Sequence, residues 1–400
     1  MAIRFALSRK LITGLYAFTA LNDFVPVVPV VALLFTDAGL DPVEVSSLFA
    51  VLAFAALALE VPSGAWADVT SRRRLLALGA LLRALCFALW VLLPSYPAFV
   101  VGAVLWGACH ALTSGTLEAL VYDHLRAGGA EAHYPRLMGR ARVAALVANV
   151  AATALAVPLL AAGSYALVQV VSGAVCLVTA AVALALPEVP VDRHPGRGRF
   201  AGYLAMLASG VAEVRRDTAV RRAALLAAVL PAMLVLDEYL PLLARSTGVA
   251  TAAVPLVVIL AVVGKAAGGW LAGRLALLRP AVLALALGVA AVLLAVGAVS
   301  GHPLGVVPVA VGLGVVQLSI VLAQARLQDV ISGTARATVT SVAGLGTDAV
   351  AVAFYVFYAV GSGWFGVTAL FAGFALVPLL VAGVMPRWLP APGRNAAAPG

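Results

Sequence analysis

Twelve runs of mostly apolar residues divide the chain, each closed by a short cluster of charge, glycine or proline. They fall at 11–35, 44–67, 75–94, 97–122, 138–161 and 164–187, then at 223–244, 250–273, 280–300, 303–325, 337–360 and 364–386. A helix needs about 20 apolar residues to cross a bilayer, so each run is predicted to be a transmembrane helix. The rhythm fails once. Between Glu188 and Arg222 the chain turns polar, with Asp192-Arg193-His194-Pro195-Gly196-Arg197-Gly198-Arg199 as a punctuated linker. Beyond it Phe200, Leu204, Leu207, Val211 and Val214 recur at helical spacing against Glu213, Arg216 and Asp217, which predicts an amphipathic helix on the membrane surface. The predicted organisation is a six-helix bundle over 1–187, a linker over 188–222, a second six-helix bundle over 223–386 and a disordered tail over 387–400.

Composition excludes the soluble alternatives. A chain of 400 residues that is 64% hydrophobic, 11% charged and has mean hydropathy +1.08 is not a water-soluble globule. It is read as an all-α polytopic membrane protein. The net charge of +9 follows from topology: apart from Arg83, Lys265 and Arg245, every lysine and arginine falls on the side of the membrane where the chain starts. That bias predicts cytoplasmic termini, and no nucleic-acid partner is expected. Arginine's dominance over lysine and the abundance of alanine suggest a GC-rich bacterium, hence a bacterial cytoplasmic membrane. Cys86, Cys109 and Cys176 sit in apolar runs at unrelated spacings, so they are read as core residues, without metal or disulfide. No phosphate-binding loop, zinc-protease motif or nucleophile elbow is present, so neither an enzyme nor a cofactor is expected.

The hairpin between the second and third runs carries a pattern. Glu60, Gly64 and Asp68 lie at i, i+4 and i+8, two carboxylates flanking a residue without a side chain, and Arg72, Arg73 and Arg74 follow. On a helix this predicts a face that a neighbour approaches closely at Gly64. A loop that merely sets orientation is the plainer reading. The two halves also repeat. Leu21-Asn22-Asp23-Phe24-Val25-Pro26 matches Leu236-Asp237-Glu238-Tyr239-Leu240-Pro241, Ala67-Asp68 matches Ala272-Gly273, and Asp123 matches Asp329.

The hairpin resembles the signature loop of the major facilitator superfamily, with Trp66 and Ser71 departing from its pattern. Residues 114–123 and 336–341 look like the end of helix four and the start of helix eleven in many bacterial members. The resemblance implies two pseudo-symmetric six-helix bundles, and a cytoplasmic latch in which Arg72 or Arg73 pairs with Asp123 while Asp68 braces the start of helix eleven near Arg336. It implies a transporter working by alternating access, as a monomer.

Charges inside spans are costly, about 2.5–3.5 kcal/mol each on insertion scales, so each is expected to face a cavity or a partner. Asn22, Asp23, His110, Asp237, Glu238 and Asp348 fall near mid-span, with Glu118 deeper along the fourth run. These are the candidate substrate and proton sites, and the resemblance places them on helices one, four, seven and eleven, which line the central cavity. His110, Ser114 and Glu118 are expected on one face of helix four; Ser341, Asp348 and Tyr355 on one face of helix eleven. Pro26, Pro29 and Pro241 are expected to bend helices one and seven. Two internal pairs are considered: Arg83 with Glu118, and Lys265 with an acid of helix seven. A buried carboxyl whose protonation follows cavity access can couple protons to a small-molecule substrate. Proton-antiport efflux is the leading expectation. Symport or facilitated uptake and a non-transporting receptor or scaffold are the alternatives.

Overall fold

The structure, a computed structural model, describes residues 8–67, 70–162, 164–188, 199–331 and 336–391. Twelve helical segments in it are long and apolar enough to cross a membrane. The chain divides into two compact units, one of residues 1–40 and 48–200, the other of 41–47 and 201–400.

The first unit contains α1 (Arg9–Asp23), α2 (Val31–Asp37), α3 (Pro42–Ala67, whose first turns belong to the second unit), α4 (Arg72–Leu92), α5 (Tyr96–Thr113), α6 (Thr116–Ala127), α7 (Tyr134–Ala161) and α8 (Tyr165–Ala185). Two spans are broken. The first is interrupted between Asp23 and Val31, with a 3-10 turn at Val28–Val30. Pro26 and Pro29 lack the N–H that would continue the helix, so the expected bend is a full break. The fourth is interrupted after Thr113, where Gly115 adopts a left-handed φ of 68°. Only glycine takes that conformation without steric cost. His110 on α5 and Glu118 on α6 therefore do not share one continuous helix face, contrary to the sequence expectation. The core at one end joins Leu11, Leu15 and Phe18 of α1 to Leu76 and Ala80 of α4, Leu120 and Val121 of α6 and Ala183 of α8. At the other, Phe35, Phe99 and Trp90 meet edge to face with centroids 5.0–5.8 Å apart.

The second unit contains α9 (Arg199–Arg216, whose first two residues belong to the first unit), α10 (Thr218–Ala232), α11 (Leu236–Ser246), α12 (Val254–Arg274), α13 (Pro280–Val299), α14 (Val306–Val330), α15 (Arg336–Ser362), α16 (Val367–Phe374) and α17 (Leu376–Trp388). Span seven starts at Thr218, earlier than the apolar pattern suggested, because Asp217 caps it: its carboxylate accepts from the backbone N–H of Ala219 at 2.7 Å and Val220 at 3.2 Å. The span is interrupted by a 3-10 turn at Met233–Val235, while Pro241, the expected bend, lies inside α11. Leu389, expected in a loose tail, is buried, and the Pro390 carbonyl accepts from Arg326 Nη1 at 3.2 Å. Among the described glycines, the tightest approach to another helix's backbone joins α12 to α14. A Cβ built on Gly268 would lie 1.9 Å from the Gly314 carbonyl oxygen, and one on Gly264 2.2 Å from that of Ala310. This is the small-xxx-small crossing that lets membrane helices pack backbone to backbone.

Candidate functional site

The hairpin has the Arg72–Asp123 pair that the resemblance implied and differs from the sequence expectation at Gly64. Gly64 is exposed, and among the described residues a Cβ added there would meet nothing within 4 Å. The contact is made one residue earlier. Ser63 is buried and its Oγ donates to the Ala111 carbonyl at 2.8 Å and to that of Glu60 at 2.9 Å. Asp68 lies outside the described residues, and of Arg336 only the backbone, as the first residue of α15, is described.

Beyond the turn, Arg72 forms an ion pair with Asp123 of α6, while Arg73 Nε lies 3.7 Å from a Glu188 carboxylate oxygen. Glu188, read from sequence as the start of the linker, is the residue that sequence reasoning missed. One of its oxygens accepts from the Arg72 backbone N–H at 2.8 Å, and the other from Ser71 Oγ. The carboxylate thus caps α4 at its positive end. Ser71 has ordinary extended dihedrals, φ −62° and ψ 120°, so the turn does not require glycine there. Replacing Glu188 with alanine is expected to lower stability by about 1–2 kcal/mol, as for a lost cap, and Ser71→Gly by less than half of that. Thermal unfolding of the two variants in detergent checks the order; equal losses would refute the capping role.

The second unit solves the same problem with reversed polarity. Arg326 of α14, 2% exposed, donates to the carbonyl of Leu278 in the loop after α12, and lies 3.5 Å from that of Ala276. Asp329, the sequence counterpart of Asp123, is exposed. The internal repeat therefore does not extend to the polar contacts.

Among the mid-span candidates of the first unit, Asn22 and Asp23 lie at the break in span one. Arg83 of α4 is only 6% exposed. It does not bind Glu118, which is exposed on α6. Its Nη2 donates to the Asn22 carbonyl at 3.0 Å and to Asn22 Oδ1 at 3.1 Å, and its Nε to Cys176 Sγ at 3.3 Å. The Asn22 amide in turn donates to Asp23 Oδ1 at 3.2 Å. His110 is exposed near the end of α5, where its carbonyl accepts from Ser114 N at 2.9 Å.

In the second unit, Asp237 and Glu238 occupy the first turn of α11. Lys265 of α12 forms an ion pair with Asp237, the internal pair considered from sequence. Among the described residues, buried Asp237 Oδ1 has no hydrogen-bond partner and Glu238 no ion-pair partner. Next to them Tyr239 stacks on Tyr358 of α15, rings 3.6 Å apart and 14° from parallel, with Tyr355 at 6.3 Å and Phe374 beyond Tyr358. Asp348, half-buried, lies on the same continuous helix as Ser341 and Tyr355. The repeat places its acids on opposite flanks of the two breaks. Asn22 and Asp23 close the helix before the gap, whereas Asp237 and Glu238 open the helix after it. One site therefore offers an oriented carboxylate beside a buried guanidinium, and the other two carboxyls, one ammonium and an aromatic wall. No described group of three or more histidine, cysteine or acidic side chains is placed to hold a metal ion.

Comparison with known proteins gives a single family. The model described as Major Facilitator Superfamily matches residues 12–355. No curated protein sequence matches the chain. Solved structures similar to it include a D-xylose-proton symporter, at 16% identity over 97% of this chain and 98% of that one, TM-score 0.70. The nucleoside transporter NupG aligns at 13% identity over 95% and 99%, TM-score 0.71. The POT family transporter PepTSo aligns at 12% identity over 95% and 98%, TM-score 0.73. At such identities the likeness is one of fold.

Proposed function

The chain belongs to the major facilitator superfamily and is a multi-pass membrane transporter, and from that premise we propose that it exports a small amphipathic molecule in exchange for protons, by alternating access. The observation that carries the reading is the charge balance at the head of α11. Two carboxyl groups, Asp237 and Glu238, face a single ammonium, that of Lys265, within an apolar span. An uncompensated carboxylate in a medium of low dielectric is costly, so a proton completes the balance. Its release when the site meets water supplies the coupling step. The stacked Tyr239 and Tyr358 with Tyr355 are buried beside the acids, and on opening of the site they would offer a flat apolar wall to a cargo with an aromatic or aliphatic body. Asn22, Asp23, His110, Glu118 and Asp348 complete the set of substrate and proton groups in this reading, and the Arg72–Asp123 pair with Arg73, Glu60, Gly64, Asp68 and Arg336 forms the gate. We place both termini in the cytoplasm of a bacterium, on the bias of basic residues toward that side, with one chain as the working unit.

Proton symport is the second reading, favoured by the likeness to the D-xylose-proton symporter. Proteoliposomes separate the two. Flux of D-xylose, uridine, a dipeptide and ethidium is followed with and without an imposed pH gradient, for the parent, Asp23→Asn, Asp237→Asn and Glu238→Gln. Antiport predicts ethidium movement against the proton flow, and loss of at least tenfold of the gradient-driven rate in Asp237→Asn or Glu238→Gln, with exchange at equilibrium retained. Entry of a probe together with protons selects symport. Gradient dependence undiminished in all three variants removes these acids from the mechanism.

A further inference from the structure

We propose that Arg83 is a positioning residue for transport: from span three it holds the last turn of α1 at Asn22 and, through the Asn22 amide, sets the direction of the Asp23 carboxylate. The inference rests on the reading above in one respect, that Asp23 lies on the transport path.

The argument starts from what a broken helix lacks. At the end of α1 the carbonyls of the last turn have lost the N–H groups that would have followed, and the helix dipole places its negative pole there. Inside an apolar span no water satisfies them. Arg83 supplies both needs at Asn22, a donor for the main-chain carbonyl and a positive charge at the negative pole. The same nitrogen reaches Asn22 Oδ1, which fixes the side-chain amide with its nitrogen turned to Asp23 Oδ1. A planar guanidinium can engage Cys176 from Nε and Asn22 from Nη2 at once; a lysine ammonium, a single point of charge, cannot span that geometry.

The far side of the break is secured from the same helix. Ser172 Oγ accepts from the Val27 backbone N–H at 3.0 Å while donating to the Val168 carbonyl at 2.7 Å. Ser172 and Cys176 are four residues apart, hence neighbours on one face of α8. Both lips of the gap are thus referenced to one uninterrupted helix, directly at Val27 and through Arg83 at Asn22. The break is a built joint, and its geometry passes to Asp23 along a chain of named hydrogen bonds.

The test uses the full chain in proteoliposomes, with Arg83→Met, Arg83→Lys and the milder Ser172→Ala. Initial rates are measured for whichever of D-xylose, uridine, the dipeptide and ethidium the parent carries, alongside thermal unfolding and amide exchange of peptides covering 20–31. Arg83→Met is expected to lower the maximal rate at least tenfold with the apparent KM within about threefold. Arg83→Lys should regain part of that rate. Amide exchange at 24–28 should rise in Arg83→Met and, at Val27, in Ser172→Ala, while peptides from α5 and α7 keep their protection. A rate in Arg83→Met equal to the parent's, or a rate loss that merely follows the folded fraction with lysine no better than methionine, overturns the proposal. If the parent carries none of the four probes, the transport reading fails, and exchange decides the clamp alone: unchanged protection at 24–28 in Arg83→Met refutes it, selective loss supports it.

Discussion

Gly268→Ala is expected to remove most of the folded protein, whereas Gly273→Ala, five residues along the same helix, leaves it intact. At Gly268 the new methyl would sit 1.9 Å from the backbone carbonyl oxygen of Gly314, and no side-chain adjustment relieves a clash with main chain. The helices α12 and α14 must separate, and the neighbouring approach of Gly264 to Ala310 separates with them. Overpacking costs about 1–3 kcal/mol where side chains can yield; a backbone collision repeated one turn away belongs at or beyond the top of that range. At Gly273 an added Cβ meets nothing within 4 Å, and alanine's helix preference contributes up to about 1 kcal/mol in its favour. Yield of monodisperse protein in detergent and the midpoint of thermal unfolding distinguish the two. Equal behaviour would mean that α12 and α14 do not cross at these glycines.

The second large effect concerns Lys265. Its replacement by methionine leaves Asp237 without its ion-pair partner and Glu238 beside it. Removing one member of a buried pair costs about 3–5 kcal/mol, because the survivor is left uncompensated. The side chains here are 22% and 27% exposed, which places the expected loss nearer the lower figure. Lys265→Met combined with Asp237→Asn should recover much of it, since a neutral pair has no charge to strand. A double-mutant cycle on unfolding free energy reads the coupling directly. Simple additivity would show that the two groups do not interact, and the charge balance behind the proposed proton site would go with them.

Several elements were legible in advance for a common reason. Span number follows from the free energy of burying apolar surface in lipid, which is summed over about twenty residues and is insensitive to partners. The breaks were half legible. Pro26 and Pro29 announced theirs, because a missing N–H is a local fact. Gly115 and the interruption at Met233–Val235 were not anticipated, since a glycine or proline in an apolar run is equally compatible with a continuous helix. Polar partners were the least legible. Arg83 was matched to Glu118 by depth, yet it binds Asn22 and Cys176, as depth along the membrane says nothing about which helices are neighbours. Gly64 was expected at a tight contact and is exposed; Gly268, to which no contact was assigned, makes a tight one with Gly314.

The amino-acid order alone determined that this protein lives in a bilayer, in twelve crossings arranged as a duplicated set of six, and that carboxyl groups are carried inside some of those crossings. Packing decided what each of those groups touches. Glu188 became the cap of α4, Arg83 the clamp on Asn22, and Lys265 the partner of Asp237. Hydrophobic transfer is a sum over a segment and can be read along a line, whereas a hydrogen bond depends on angstrom-scale distances between atoms far apart in that line, fixed only when helices have docked.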